Sequence, residues 1–387
     1  MNDQSPMIRQ LYSIPELMKH LSKSSCAQQI DSAGIKKVIL TGCGDSFCAA
    51  MAGRLFFQQY TELEAEVDTV IELSRNTPID RLVQSGQVMT IIISNSGRVS
   101  RCIELAERIR RHGGHVMAVT GNQESPLAKS AEYILPMDIP EFVYAPGIRS
   151  YTACLCTLYQ LAVNCGCRND EGRLAERMER LQEAEELIRR NLPVWDKAAE
   201  RQAAALKDNA YFEWIGSGTG YVNAWFSQAK LLETAGKSTN ACSAEDWFHM
   251  HFFAKDVYHT AAILFCRESG RDAGRLRELR KTASEMGRPL LCICEAGVAE
   301  AGDKITNEAA DRATDEAAKE ITDEAEDMRV PPVDDPLMAL FIDYIPAAFL
   351  CAHIGEMLGE SYFRDGKDNW AACVNSATIV NSKIEIE

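Results

Sequence analysis

Between Lys230 and His251 the chain reads KLLETAGKSTNACSAEDWFHMH. Glu233 precedes His249 by sixteen residues. Lys230 lies one helical turn before the glutamate, Asp246 three residues before His249, and His251 two after it. A carboxylate and an imidazole aimed at one substrate form a base and a proton carrier, and the imidazole titrates near neutral pH. The same residues also read as ordinary positions. A lone glutamate on a helix is usually solvated, and His249, among Trp247, Phe248, Phe252 and Phe253, suits a hydrogen-bonded core histidine. As H-x-H, His249 and His251 are also a fragment of a metal site, with no third ligand evident in the sequence.

Two further constellations lie in the first half. "GCGDS" contains Gly44, Asp45 and Ser46, and "SNSG" supplies Ser94, Asn95 and Ser96, with Ser100 close behind. Each follows an apolar run and precedes a helical pattern, so each marks a strand end and a helix start. Hydroxyls, a side-chain amide and the open N–H groups of a helix N-terminus make a neutral anion cradle that fits a phosphate monoester. The plainer reading is a pair of N-caps, since Ser and Asn cap helices often. Two such turns on neighbouring strand ends of one domain favour phosphate. There is no G-x-x-x-x-G-K-[ST], and neither turn completes G-x-G-x-x-G, which argues against a dinucleotide.

Regular elements must position these groups. "KKVILTGCGDS" reads as a buried strand ending in a glycine turn, followed by a helix over 47–60. "EAEVDTVIEL" holds a second strand and "QVMTIIISNSG" a third, with a helix over about 98–112. "HVMAVTGN" is a fourth strand, "SPLAKSA" a short helix, "EYILPM" a fifth strand, and "SYTACLCTLYQLAVNCG" a closing helix. Strands alternating with helices imply a parallel sheet covered on both faces. A charged helix over 171–192, ending at "NLP", bridges to a second half in which the pattern restarts. There "AYFEWIGSGTG" is a strand with a glycine turn, a helix follows to about 236, and "TAAILFCRE" and "RPLLCICEAG" are strands flanking a basic helix. "DDPLMALFIDYIPAAFLCAHIGEML" is the last helix, and "TIVNSKIEIE" suits a short strand or extended arm.

The 387 residues suffice for two domains, each with its own core. The formal net charge is −15, which makes neither nucleic acid nor an anionic membrane a natural partner. Residues 303–327 hold ten acids and three bases, so −7 of that charge is local. This segment repeats every eight residues, and on a helix each copy turns about 80° from the last, so no apolar face survives. It reads as a solvated or disordered insertion. The N-terminus has no apolar signal region, and no long stretch reads as a bilayer span, so a cytoplasmic location is expected. The fourteen cysteines include the C-x-C pairs Cys154/Cys156, Cys165/Cys167 and Cys292/Cys294 but no C-x-x-C. They read as thiols, mostly small core residues, and no metal site is expected.

"ILTGCGDSFCAAMAGRLFF" and "TIIISNSGRVSRCIELAERIRRHGGHVMAVTGNQESPLAKSAEYIL" together resemble the sugar-isomerase (SIS) phosphosugar-binding domain, and the second half resembles another copy. The tandem arrangement is similar to the isomerase half of glucosamine-6-phosphate synthase and to the fructosamine-6-phosphate deglycases. The resemblance implies that Ser46 and Ser94–Ser96 hold a sugar phosphate. It makes Glu233 the base that moves a proton between C1 and C2, and His249 the ring opener, reaching in from the other subunit of a dimer. Lys230 matches a family lysine near the substrate. The chain departs from the family at several points. "AEDWFHMH" stands where the family has GE-x-x-HGP, so Asp246 replaces a glutamate and His251 is an added candidate. Val99 stands where a phosphate-binding threonine is expected, with Ser100 as a substitute. The family's terminal lysine maps to Lys383 or Lys367 without a decision between them.

The expected fold is α/β: two tandem SIS domains, each a flavodoxin-like three-layer αβα sandwich. Residues 1–170 form the first, 171–192 a helical linker and 193–387 the second, with the acidic insertion at 303–327. The expected activity is at C1/C2 of a sugar 6-phosphate, as in a fructosamine-6-phosphate deglycase, with no cofactor. Alternatives are an aldose–ketose isomerase, an amino-sugar-phosphate deaminase or a non-catalytic phosphosugar-binding regulator. Catalytic candidates are Glu233, His249 and Lys230, and phosphate ligands are Ser46, Ser94, Asn95, Ser96 and Ser100. Further substrate contacts are Gly44, Asp45, Asp246, His251 and Arg149. A homodimer is expected, both from the resemblance and from the apolar helices at 150–166 and 337–358. If the sixteen-residue spacing carries the meaning, substituting His251 should do little.

Overall fold

Buried apolar runs become the central strands of two sheets. The computed structural model describes residues 4–23, 34–295, 327–364 and 375–386. The acidic repeat, apart from Asp327, and Lys367 lie outside these residues. The strands are β1 (Lys37–Gly42), β2 (Glu64–Val67), β3 (Val88–Ile93), β4 (His115–Thr120), β5 (Tyr133–Pro136), β6 (Tyr211–Gly216), β7 (Ser238–Ser243), β8 (Thr260–Cys266), β9 (Leu290–Glu295) and β10 (Met328–Val330). They form two five-stranded sheets, β2-β1-β3-β4-β5 and β10-β9-β8-β6-β7. All pairings are parallel. Read from its own first strand, each sheet has the order 2-1-3-4-5, so the second half repeats the plan of the first.

The chain divides into two compact units. The N-terminal unit holds β1–β5 and comprises Ser13–Val143, Gly147–Glu185 and Gly366–Glu387; the C-terminal unit holds β6–β10 and comprises Met1–Tyr12, Tyr144–Pro146 and Glu186–Asp365. Within the N-terminal unit one sheet face packs a core of Ile39, Ile92, Ala118 and Cys102, Leu105 and Ile109 from the helix Ser100–Arg111. The other face carries the helices Asp45–Tyr60 and Ile148–Gly166, so close that a Cβ on Gly53 would lie 2.5 Å from Leu40 and 3.2 Å from Leu158. The C-terminal unit is built alike. Ile215, Ala262, Leu264 and Cys292 meet Trp247, Leu276 and Leu279 on one face. The helices Thr219–Ala235 and Tyr344–Met357 cover the other, where a Cβ on Gly220 would lie 3.2 Å from Phe265.

Several elements differ from their sequence reading. The second strand stops at Val67, and a π-helical turn spans Glu72–Asn76, placing Val70 and Leu73 in the core beside Ile39. β7 (STNACS) and β10 (MRV) carry too little branched apolar sequence to announce themselves, as befits short edge strands. The helix expected to end at "NLP" runs from Glu171 to Leu206 with Pro193 inside it. Its buried residues Leu181, Ala184, Ile188, Leu192, Trp195, Ala199, Ala203 and Leu206 recur every three or four positions across the proline, so packing outweighs the lost hydrogen bond. The first residues of "TIVNSKIEIE", 378–380, lie in the helix Asn375–Val380 rather than in a strand or extended arm. Contrary to the sequence reading, one stretch among the described residues, Pro336–Met357, is long and apolar enough to span a bilayer, but 94% of that window is buried inside the protein, as a core helix would be.

Of the twelve cysteines among the described residues, ten are buried. Burial pushes the thiols of Cys154, Cys242 and Cys294 up to about 12, in keeping with their reading as inert core residues.

Trp195 pins the short edge strand β10 to this long helix. Its ring is 1% exposed, and its indole N–H donates to the Arg329 carbonyl at 2.8 Å. Trp195→Ala is expected to cost about 3–5 kcal/mol. Trp195→Phe, which keeps most of the ring but orphans the carbonyl, is expected to cost about 1–3 kcal/mol. Urea unfolding of the two variants checks the order.

Candidate functional site

β1 and β3 are direct neighbours with Gly42 opposite Ile93, so the two serine-bearing turns leave the sheet side by side. They do so where strand order reverses, the place at which open parallel sheets take ligands. Gly44 adopts φ 57°, ψ −129°, a conformation that excludes a side chain, and the helix Asp45–Tyr60 begins immediately after it. Ser46 is half-buried and donates its N–H to the Cys43 carbonyl at 3.1 Å. Asp45 lies against Gly147, where an added Cβ would sit 2.7 Å from its carboxylate.

The second turn is stitched to its scaffold. Gly97 N–H donates to the Ser94 carbonyl at 3.0 Å and contacts Ser94 Oγ at 3.2 Å. The Asn95 carbonyl accepts from Gly121 N–H at 3.0 Å and Thr120 Oγ1 at 3.3 Å, and Leu127 N–H reaches the Gly97 carbonyl at 3.0 Å. Gly97 has φ 62°, and a Cβ there would fall 2.0 Å from Ser125 Oγ, so only glycine fits. Asn95 and Ser96 stand exposed at the tip, Ser94 is buried behind them, and Ser96 Oγ accepts from Arg98 N–H at 3.3 Å. The turn therefore offers a rigid pair of exposed polar side chains.

Two expected ligands are engaged elsewhere. Ser100 is buried, and its hydroxyl donates to the Val380 carbonyl at 2.6 Å. Its proton is spent on the C-terminal tail, and Val99 at the N-cap offers no side-chain cap. Arg149 is also buried. It donates to Ser13 Oγ at 2.7 Å and the Pro140 carbonyl at 3.1 Å and lies over the Phe142 ring, bracing its own loop.

The tail that occupies Ser100 is clamped further on. Arg75 and Arg101 both hold the Lys383 carbonyl, and Glu385 N–H donates to Glu104 at 2.7 Å. Burial raises the Glu104 carboxyl, but the hydrogen bonds from Arg75 and Glu385 N–H and the charges of Arg101 and Arg75 outweigh it and hold the group below the usual glutamate range. Lys383 itself points to solvent and pairs with Glu385 at 2.9 Å.

In the C-terminal unit Lys230 and Glu233 meet. Lys230, on the helix Thr219–Ala235, is fully buried, its ammonium 5.0 Å from the Phe226 ring centre and hydrogen-bonded to Glu233 Oε2. The Glu233 side chain is 26% exposed, so this carboxylate has one side on a buried cation and another toward solvent. A buried lysine needs such a partner, since an unpaired charge in the interior is costly.

His249 stands apart from that pair. It lies on the short helix Ala244–His249, whose Ser243 N-cap accepts from Asp246 N–H at 3.0 Å and donates to the Asp246 carboxylate at 2.9 Å. Asp246 is therefore a capping residue on the surface. The His249 side chain is 71% exposed and lies 3.2 Å from Glu245, which Arg275 holds at 2.8 Å. The core-histidine reading belongs instead to His251. Its Nε2 lies 3.0 Å from the Asn240 amide and its Nδ1 3.5 Å from Glu213, and its carbonyl accepts from Arg288 at 2.6 Å.

A buried carboxylate organises this segment. Glu213 on β6 is 1% exposed, accepts the Trp247 indole N–H at 2.9 Å and binds Arg288, which is 2% exposed. The sequence reading missed both Glu213 and Arg288. The signal was available: a glutamate inside the apolar run "YFEWIG" requires a partner.

The helix of Lys230 and Glu233 lies on the Phe265 side of the sheet, while the segment 244–253 packs through Trp247 on the opposite side with Ile215 and Leu264. Within one chain the sheet separates Glu233 from His249. The structure thus brings together Lys230 and Glu233, and separately Gly44–Ser46 and Ser94–Ser96, but not the two members of the sixteen-residue pair.

The two histidines should respond oppositely to substitution. His251→Ala is expected to lose about 1–3 kcal/mol of stability, by stripping Glu213 and Asn240 of a partner. His249→Ala, at an exposed position, is expected to change stability by no more than about 0.5 kcal/mol. Urea melts of both variants check the difference.

The SIS domain model matches residues 33–164. A glutamine–fructose-6-phosphate aminotransferase (isomerizing) of Bartonella quintana is 23% identical over 245 residues, 59% of this chain and 39% of that protein. The chain spans about two fifths of the length of such curated relatives. The C-terminal domain of the glucosamine-fructose-6-phosphate aminotransferase from Francisella tularensis superposes with a TM-score of 0.75 at 15% identity, covering 92% of this chain and 97% of that one. A glucosamine-6-phosphate deaminase from Thermotoga maritima gives 0.65 at 16% identity, covering 92% and 95%. Residues 33–164 thus match a SIS domain, and both sheets of the chain take the fold of these solved structures.

Proposed function

We propose that this protein is an enzyme acting at C1/C2 of a sugar 6-phosphate, most closely a fructosamine-6-phosphate deglycase. The observation that carries the reading is the Lys230–Glu233 pair: a carboxylate fixed by a fully buried ammonium yet open on one side. Such a group is held in place and open to a substrate, as a base that shuttles one proton between adjacent carbons must be. The names of the relatives, an isomerizing aminotransferase and an amino-sugar-phosphate deaminase, support chemistry at the same two carbons.

In this reading the turns at Gly44–Ser46 and Ser94–Ser96 anchor the phosphate with neutral donors. Glu233 transfers the C1/C2 proton, turning the ketosamine into a C1 imine. Water adds at C1, the amine departs with the proton it needs, and an aldose 6-phosphate remains. An aldose–ketose isomerase or an amino-sugar-phosphate deaminase would use the same first step. The protein would work as a homodimer. Because the sheet stands between Glu233 and His249 in one chain, the exposed His249 would open the sugar ring in the site of a second copy.

Mass spectrometry of purified protein incubated with a panel of sugar 6-phosphates and fructosamine 6-phosphates tests the class. Glu233→Gln retains an acceptor for Lys230 while removing the base, and turnover of the substrate so found is expected to fall about 10²–10⁴-fold with binding intact. Full activity in that variant would remove Glu233 as the base, whereas binding without turnover across the whole panel would leave a phosphosugar-binding regulator. The dimer has its own test. Glu233→Gln and His249→Ala proteins, each inactive alone, are expected to regain activity when unfolded together and refolded as mixtures, because a mixed dimer contains one intact site. No recovery, with mixed dimers shown by mass spectrometry, would mean that His249 does not act across subunits.

A further inference from the structure

The duplicated fold contains a second turn of the same build as the phosphate-anchoring one. β8 stands in its sheet where β3 stands in the other, and each ends in a four-residue turn closed by the same bond. Gly97 N–H donates to the Ser94 carbonyl at 3.0 Å, and Gly270 N–H donates to the Arg267 carbonyl at 3.0 Å. The sequences, SNSGRV and RESGRD, share Ser-Gly-Arg in the same positions. The neighbouring glycine turns also match, since Gly218 adopts φ 54°, ψ −120°, close to Gly44. On topology and backbone alone, the C-terminal unit owns an anion cradle like that of the N-terminal unit.

The two differ in what faces the turn. At the end of β4 stands Thr120, a neutral hydroxyl that donates to the Asn95 carbonyl. At the corresponding end of β9 stands Glu295, buried to 6% exposure. Its Oε2 accepts the Ser269 backbone N–H at 3.2 Å and its Oε1 the Ser269 hydroxyl at 3.4 Å. Arg267, where the first turn has Ser94, donates from Nη1 to Glu295 at 3.4 Å and to the Pro331 carbonyl at 3.1 Å. It also grips Asp343 through Nε at 2.8 Å and through Nη2. An N–H, a hydroxyl and a guanidinium converging on a carboxylate are the donors a phosphate would draw.

We propose that the Arg267–Gly270 turn is a second oxyanion site whose ligand is built into the chain: the Glu295 carboxylate fills it, so the protein offers one phosphate cradle per chain despite its two matching folds. Glu295 excludes a phosphate in two ways, by using the Ser269 donors and by repelling a second anion in a buried, weakly screened place. The proposal rests on reading the first turn as a phosphate cradle, and the test separates the two.

Crystals of the full-length protein and of Glu295→Thr, which installs the residue type found at the matching position of β4, are soaked in tungstate and located by anomalous scattering. The expected result is tungstate at Ser94–Gly97 alone in the wild type and at both turns in Glu295→Thr. In solution, inorganic phosphate should raise the melting temperature of the variant more than that of the wild type. Tungstate at Ser269 in the wild type would overturn the built-in ligand, and this arm stands even if the variant does not fold. A folded variant, with a cooperative melt and wild-type circular dichroism, that takes tungstate only at Ser94–Gly97 would overturn it as well. Tungstate absent from Ser94–Gly97 in both proteins would instead remove the cradle reading of the first turn, and the comparison between turns with it.

Discussion

A parallel sheet sends every strand end to one edge, and this constraint governs where polar chemistry can reside in the molecule. With order 2-1-3-4-5, the first and third strands are neighbours whose following helices depart to opposite faces, leaving a gap lined by two turns. Glycine at Gly44 and Gly97 lets the backbone make those turns, and serines occupy the places beside them. The apolar interiors of β1, β3, β6 and β8 exist to hold this edge in register. In the C-terminal unit the same edge carries charge beside its hydroxyls, and the charges are satisfied internally by Arg267, Asp343 and Glu295.

The central architecture was legible in the sequence because its signals are strong. Runs such as KVILTG and VMTIII bury both faces and end in glycine or serine, so strand and turn announce each other. The edges were not legible. STNACS is polar and MRV is short, and their pairing is decided by a neighbouring strand rather than by their own composition. Helix ends misled where tertiary packing dominates, as at Pro193, whose helix is carried across the proline by a continuous buried stripe.

The candidate site was legible in part. Lys230 and Glu233 lie one turn apart on a helix, so their contact follows from local geometry. The sixteen-residue interval to His249 says nothing local, because it crosses a strand and a helix reversal. Only the fold reveals that the sheet intervenes. His251 seemed a spare next to His249, yet it belongs to the buried Glu213–Arg288 cluster, whose members are distant in sequence. Ser100 looked like a free hydroxyl at a helix start until the chain's last residues claimed it.

One quiet feature has practical weight. Cys43 is an exposed residue of the Gly42–Ser46 turn, and the hydrogen bond from Cys102 holds its thiol below the ordinary range against partial desolvation of the sulfur. Most of the other described cysteines are sealed in the two cores with thiols that resist ionisation. A maleimide-linked fluorophore or nitroxide added at neutral pH will therefore favour this position over those buried thiols. It would set a spectroscopic reporter at the edge where a ligand would arrive.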